Sequence, residues 1–328
     1  MNIPLAHETW FTERRPPFEW DFVIEPASLM ALVLTAMIGI AWMLVARRAP
    51  RPEFPWLAPL SALTPWIPRL LAIHAGASLL SQAATGSYLA PALDLPDGFA
   101  GTVLAALEAI LGVWLVAGYR IRPAAALLVI AGPIGAIGYG VLPIIERVDL
   151  LGIALFLVLL PPDDTRPGGT VDPRDPRLPA ALLGLRVLVG GALVVLAFTE
   201  KLLRPELALA FLDDYPAFNI FGAVGLDMGD LGFVRLAGAV ELLFGILVIS
   251  GRLPQIAVIV AGIPFNATLF FLGSSELIGH LPIYGAMLAL LVYGSDRRTG
   301  DAVGWFPKGL PRRDANDIRE NPDPAKSR

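Results

Sequence analysis

The sequence predicts an all-α, polytopic integral membrane protein of about nine transmembrane helices, built as two parallel four-helix repeats plus one N-terminal helix. Three observations carry that prediction. Only 16% of the residues are charged and 55% are hydrophobic, with a mean hydropathy of +0.64. A soluble domain is about 25% charged, so the deficit points to lipid as the solvent. Several apolar runs reach the roughly 20 residues that cross a hydrocarbon core of about 30 Å. Finally, the chain repeats itself: Ala105, Glu108, Gly112 and Gly118 recur as Gly238, Glu241, Gly245 and Gly251 at a constant offset of 133 residues. The offset persists to Gly152/Gly285 and Asp163/Asp296.

Taken in order, residues 1–25 read as an outer interfacial arm, rich in aromatic and basic residues such as Trp10, Arg14, Arg15 and Trp20. They lack a basic segment followed directly by an apolar one, so no cleavable signal is expected. The first span, 26–46, stops at the basic cluster Arg47, Arg48 and Arg51, and a proline-rich connector follows. The first repeat, 62–165, is expected to hold spans at 66–84, 99–118, 123–141 and 148–162, with GSYLAPALDLPDGF as a loop after the first of them. A hydrophilic inner-side linker, 166–179, leads to the second repeat, 180–296, with spans at 181–199, 231–250, 254–272 and 280–294. Between the first two of these lies a longer punctuated segment, 202–230, read as an interfacial helix and loop. From 297 to 328 the chain is charged and proline-containing, and is expected to be a disordered cytoplasmic tail.

Short-loop Lys and Arg set the expected orientation. With the N-terminus outside, eleven fall on inner loops (Arg47, Arg48 and Arg51 among them) and five on outer ones, Arg14, Arg15, Arg147, Lys201 and Arg204. Four spans per repeat is an even number, so both copies share one orientation and are related by an axis along the membrane normal.

The chain has no cysteine and three histidines, His7, His74 and His280. Thiolate chemistry, Cys-ligated metal centres and multi-histidine metal sites are therefore not expected. No phosphate-binding glycine loop, GxSxG elbow or HExxH occurs, so neither a hydrolase nor a nucleotide-driven mechanism is visible. No nucleic acid is expected among the partners.

The residues that bear chemistry lie inside the apolar runs. Glu108 and Glu241 each fall nine or ten residues below the outer surface, roughly 15 Å deep at about 1.5 Å per residue. A carboxylate there must be protonated, paired or facing water. Each lies on a small-residue face, where it either locks helices together by a hydrogen bond or handles a ligand or proton. Arg69 and Arg186 begin equivalent spans, and snorkelling to the inner headgroups accounts for them. Arg235 is read the same way at the outer side, and His74 as a hydrogen-bonded core histidine. Asn266 sits two residues after the helix-breaking Pro264, and Pro133 breaks the matching helix of the other copy; both kinks leave carbonyls that need partners. Glu200, Lys201 and His280 cap the outer ends of two spans in the second copy, as ligand or proton groups or as interfacial anchors. Asp213, Asp214 and Tyr215 read as a solvated turn.

These residues resemble the DoxX-type membrane-protein family, a four-span unit. The resemblance rests on the Arg-led helix ending in Lys, LLGLRVLVGGALVVLAFTEKL, on the Glu-x3-Gly-x5-Gly helix, and on a last span running into a Gly-Ser/Asp tail, LLVYGSD. The second copy matches throughout; the first has Ala83-Ala84 where the second has Glu200-Lys201. Such a resemblance implies a bacterial plasma (inner) membrane protein, multi-pass and redox-associated. It also implies a quinone as candidate ligand and an outer-side redox protein or membrane-complex subunit, besides lipid, as partner. Glu241, Lys201 and His280 would then supply the polar groups of a quinone or lipid site near the outer face of the second repeat. Against this stand a proton-coupled small-solute carrier, suggested by repeats and broken helices, and a ligand-free structural scaffold.

Overall fold

The protein is described by a computed structural model covering residues 16–307 apart from 163–169, 224, 226, 227 and 273; for 223, 270–272 and 274–276 only the backbone is described. The first fifteen residues of the expected arm, Asp163, part of the linker and the tail from 308 lie outside the described residues.

Helix forms at each of the nine expected spans. These are α1 (Pro26–Ala46), α2 (Ile67–Thr85), α3 (Phe99–Ala117), α4 (Ile121–Tyr139), α5 (Val148–Leu159) and α6 (Leu178–Leu196), which runs on as a π-turn over Ala197–Leu202. After α7 (Pro205–Asp214) in the long segment come α8 (Asp230–Ser250), α9 (Pro254–Leu272) and α10 (Ser274–Ser295). Among the described residues, six helices are long and apolar enough to cross a membrane: α1, α3, α4, α6 with its π-turn, α8 and the Leu277–Ser295 part of α10. The architecture is that of a helical multi-pass membrane protein. α5 and α9 are shorter apolar helices, and α2 is diluted by Arg69, His74, Ser78 and Gln82. α2 tolerates these because it packs between α3 and α10. By contrast, exposed Met30, Val33 and Ile40 on α1, and Leu107, Ile110 and Val113 on α3, present apolar surface to the surroundings, as a lipid solvent requires.

Backbone contact at glycine builds the two central helix pairs. α2 crosses α3 so closely that a Cβ on Gly76 would stand 2.7 Å from the Gly112 carbonyl oxygen, and one on Gly112 would stand 2.8 Å from that of Gly76. α6 crosses α8 in the same way, at 2.6 and 2.7 Å for Gly190 and Gly245. Small residues allow such approach, and dispersion across the seam replaces the hydrophobic drive that lipid removes. The same correspondence governs the contact between the halves. Gly152 of α5 packs on Leu188 of α6, and Gly285 of α10 packs on His74 of α2. From Gly76 to Gly190, and from His74 to Leu188, is a step of 114 residues; the other members of each pair differ by 133. The 19 extra positions are the longer α7 segment. One continuous core runs through both halves, including Leu71, Leu115, Phe156, Leu157, Leu185 and Tyr293.

Three expectations are corrected here. The loop after α2 is a buried hairpin, β1 (Ser87–Tyr88) paired antiparallel with β2 (Ala90–Asp94). Arg69 and Arg186 do not snorkel. Arg69 donates to the carbonyls of Leu115, at 2.9 Å, and Val116 at the end of α3, while Arg186 donates to Ile249 at the end of α8 and to Trp305. The last carbonyls of a helix lack partners and carry its negative dipole end, so a guanidinium suits them. Residues 297–307 are ordered, with a short helix at Gly300–Val303 and Phe306 stacked beneath the Arg186 guanidinium at 4.1 Å. Burial works against ionisation of Asp296 just after α10, but hydrogen bonds from Arg298 and Thr64 prevail and hold its carboxyl below the usual carboxylate range.

Gly112→Ala and Gly245→Ala should each cost about 1–3 kcal/mol by overpacking. Gly184→Ala and Gly191→Ala, where a Cβ meets nothing within 4 Å, should be neutral or stabilising by about 0.5–1 kcal/mol. Thermal unfolding of the four variants in detergent checks this; equal shifts would remove the close crossings as a source of stability.

Candidate functional site

Each half sets one glutamate in the middle of a helix, and each glutamate takes its partner from the chain leaving the preceding helix. Glu108 is the tenth of the nineteen residues of α3 and is 3% exposed. Gly86, with a φ of +80°, ends α2. The hairpin then folds back until the Leu89 backbone N–H donates to Glu108 Oε1 at 2.9 Å. Arg147 Nε donates to the Leu89 carbonyl at 3.2 Å, so both polar groups of one peptide residue are gripped by buried ionisable side chains. Leu89 itself has a φ of +57°, an uncommon conformation for a branched residue. Around this clamp, Glu108 Oε2, Arg147 Nη1 and both carboxylate oxygens of Asp149 are buried without a hydrogen-bond partner among the described residues. Arg147 Nη2 lies 3.8 Å from Asp149, close enough for charge attraction but too long for a hydrogen bond.

In the second half the chain takes another course. Instead of ending at a glycine, α6 widens into the π-turn Ala197–Leu202, which carries Glu200 and Lys201. Such wide turns insert a residue and re-aim side chains, often at functional sites. Gly238 makes room for it: a Cβ there would lie 2.9 Å from Leu202 and 3.2 Å from Cβ of Lys201, and the first half has Ala105 at the matching place. From the π-turn Lys201 Nζ reaches to 3.1 Å from Glu241 Oε2 and 4.0 Å from Glu200. Among the described residues Glu241 Oε2 has no directed hydrogen bond. The ammonium stands off that line, so charge attraction holds the pair. Glu200 is fully buried, whereas the Lys201 and Glu241 side chains keep 17% and 19% of their surface open.

The structure thus brings Glu241, Lys201 and Glu200 together. It places His280 on α10, buried, with its ring edge-on to Phe265 of α9 at 5.2 Å. Asn266 is exposed on α9 and its amide donates to the Gly262 carbonyl of its own helix at 2.7 Å. Both helices run on through their prolines, and a tyrosine bonds a carbonyl close to each: Tyr88 donates to Ala131, two residues before Pro133, and Tyr284 to Phe265, next to Pro264. His74 Nδ1 bonds the Leu70 carbonyl one turn earlier at 2.8 Å, a helix-internal contact. Arg235 is not a snorkelling residue. It pairs with Glu25, donates to Ser28 at 3.2 Å and lies 4.6 Å over the Phe22 ring, which ties the start of α1 to α8. Arg147, expected on an outer loop, is buried with Asp149 in the first-half cluster; in sequence it stands where the second half has His280.

No family model, curated protein or solved structure matches this chain, so the site is read from its own residues.

Breaking the Lys201–Glu241 pair should be measurable as a coupling. In a double-mutant cycle with Lys201→Met and Glu241→Gln, the interaction energy should fall at about 0.5–3 kcal/mol. Unfolding in detergent measures it, and additive effects would show that the two side chains do not interact.

Proposed function

We propose that the protein is a redox-associated subunit of the bacterial plasma membrane whose second half binds a quinone or a similar apolar-tailed lipid at Glu241, Lys201 and Glu200. The observation that carries this reading is the difference between the halves. In the first, backbone fills the space beside the buried glutamate and satisfies one of its oxygens. In the second, a flexible ammonium on a π-turn takes that role, and both ion-paired side chains stay partly open. A polar group inside an apolar bundle that keeps some access is a functional-site candidate, and an ammonium and a carboxylate together offer a donor and an acceptor to a polar head. The scaffold reading has its own support in Glu108, whose contact with Leu89 is structural. We assign that role to the first half alone.

With this reading go nine membrane crossings, the N-terminus outside and the C-terminus cytoplasmic, in two four-helix halves of like orientation. The recurring glycine contacts at steps of 114 and 133 residues support the duplication, and the distribution of Lys and Arg supports the orientation. Partners would be lipid and a redox protein or membrane-complex subunit on the outer side.

Two measurements test these statements. Decylhydroquinone, kept reduced under anaerobic conditions, should bind the purified protein and lose about tenfold or more in affinity in Glu241→Gln, while Glu108→Gln should keep wild-type binding and lower thermal stability. Wild-type binding in both variants, or none in any protein, would leave the scaffold reading. For the topology, the cysteine-free chain permits single labels: Thr170→Cys should react only after permeabilisation and Asp97→Cys in intact cells. Both positions are exposed, whereas nearby Leu93 is buried. The opposite pattern would invert the assignment.

A further inference from the structure

We infer that the second-half site recognises its ligand through a hydrogen-bond donor: it takes an apolar-tailed molecule whose head offers O–H or N–H and bears no negative charge. This rests on the ligand-site reading above and narrows it. An ion-paired carboxylate is acceptor-only, with room for about four hydrogen bonds, so whatever group a ligand sets against Glu241 must donate. The first half shows what that position accepts. Glu108, 133 residues earlier at the matching place in its helix, takes the N–H of Leu89 at 2.9 Å. In the second half Lys201 occupies one side of the carboxylate at 3.1 Å, and a ligand donor would share the remaining acceptor capacity.

Charge points the same way. Two carboxyl groups, Glu200 and Glu241, stand beside the single ammonium of Lys201, and Glu200 is fully buried. α7, which packs on the π-turn and on α8, carries Glu206, Asp213 and Asp214 at exposed positions. Each described cation near this site is engaged: Lys201 with Glu241, Arg235 with Glu25, and Arg204 over the Phe18 ring at 4.2 Å. An anionic head would meet like charge and an already committed ammonium, at a depth where screening by water is weak. A carbonyl-only head would bring a further acceptor to Glu241 and Glu200 and could be met only by the N–H groups that Lys201 does not turn to Glu241.

The experiment compares decylhydroquinone, decylbenzoquinone and decanoate on the purified wild-type protein in lipid nanodiscs under anaerobic conditions, by displacement or direct calorimetry. The hydroquinone and quinone share one carbon skeleton and differ in donor capacity. The hydroquinone should bind at least about tenfold more tightly than the quinone, with decanoate weakest, and the ratio should fall below about threefold in Glu241→Gln, whose amide can itself donate. Equal binding of the redox pair, tighter binding of the quinone or decanoate, or a hydroquinone preference undiminished in Glu241→Gln overturns the inference while leaving a ligand site in place. Binding of none of the three overturns the ligand site and the inference together. Should Glu241→Gln fail to fold, the wild-type ratios alone decide.

Discussion

A charge inside an apolar bundle must be partnered by the chain itself, because the surroundings offer neither water nor counterion. That constraint accounts for most of the buried polar residues described here, with the carboxylate of Asp149 as the exception among the described residues. Arg69 and Arg186 are spent on the open carbonyl ends of α3 and α8. Arg235 is spent on Glu25 and Ser28, and thereby docks α1 against α8. Two further contacts continue that docking: Thr35 donates to the Ala239 carbonyl at 3.3 Å, and Trp42 to that of Arg252 at 3.1 Å. Where a partner is a backbone group, the residue is fixed in place. Where it is another flexible side chain, as at Lys201 and Glu241, the pairing can be exchanged.

The same requirement explains how two halves with matching helix contacts come to differ at their glutamates. The glycine crossings and the contacts between halves depend on backbone shape and recur at constant steps. The glutamate partner depends on how the chain leaves the first helix of each half. Gly86 permits a left-handed stop and a hairpin, whereas Ala197–Leu202 continues as a π-turn that Gly238 accommodates. One substitution at the packing surface, Ala105 against Gly238, marks which course the neighbouring chain can take. The first half thereby closes over its carboxyl, and the second leaves its own partly open.

Composition, apolar run length and the 133-residue offset were enough to place a helix at each of the nine expected spans, with boundaries within a few residues at most ends; six of these are long and apolar enough to cross a membrane, and the glycine-lined seams are what close helix packing in lipid requires. Both central glutamates were legible for the same reason: a carboxylate in such a run stands out against its neighbours. The sequence could not tell which partner each polar residue finds. Snorkelling and helix-end capping ask for the same arginine near the same helix end, and only the crossing of α2 over α3 and of α6 over α8 brings Arg69 and Arg186 to those carbonyls. The hairpin was hidden because its two short strands are buried between helices and lack the repeated alternation of a longer strand. The meeting of Lys201 with Glu241, 40 positions apart, depends on a π-turn that no local preference announces. The bond of Asn266 to Gly262 of its own helix depends on which face of α9 turns outward. Apolar patterning is local and survives in one dimension; pairing of isolated charges is settled by tertiary packing.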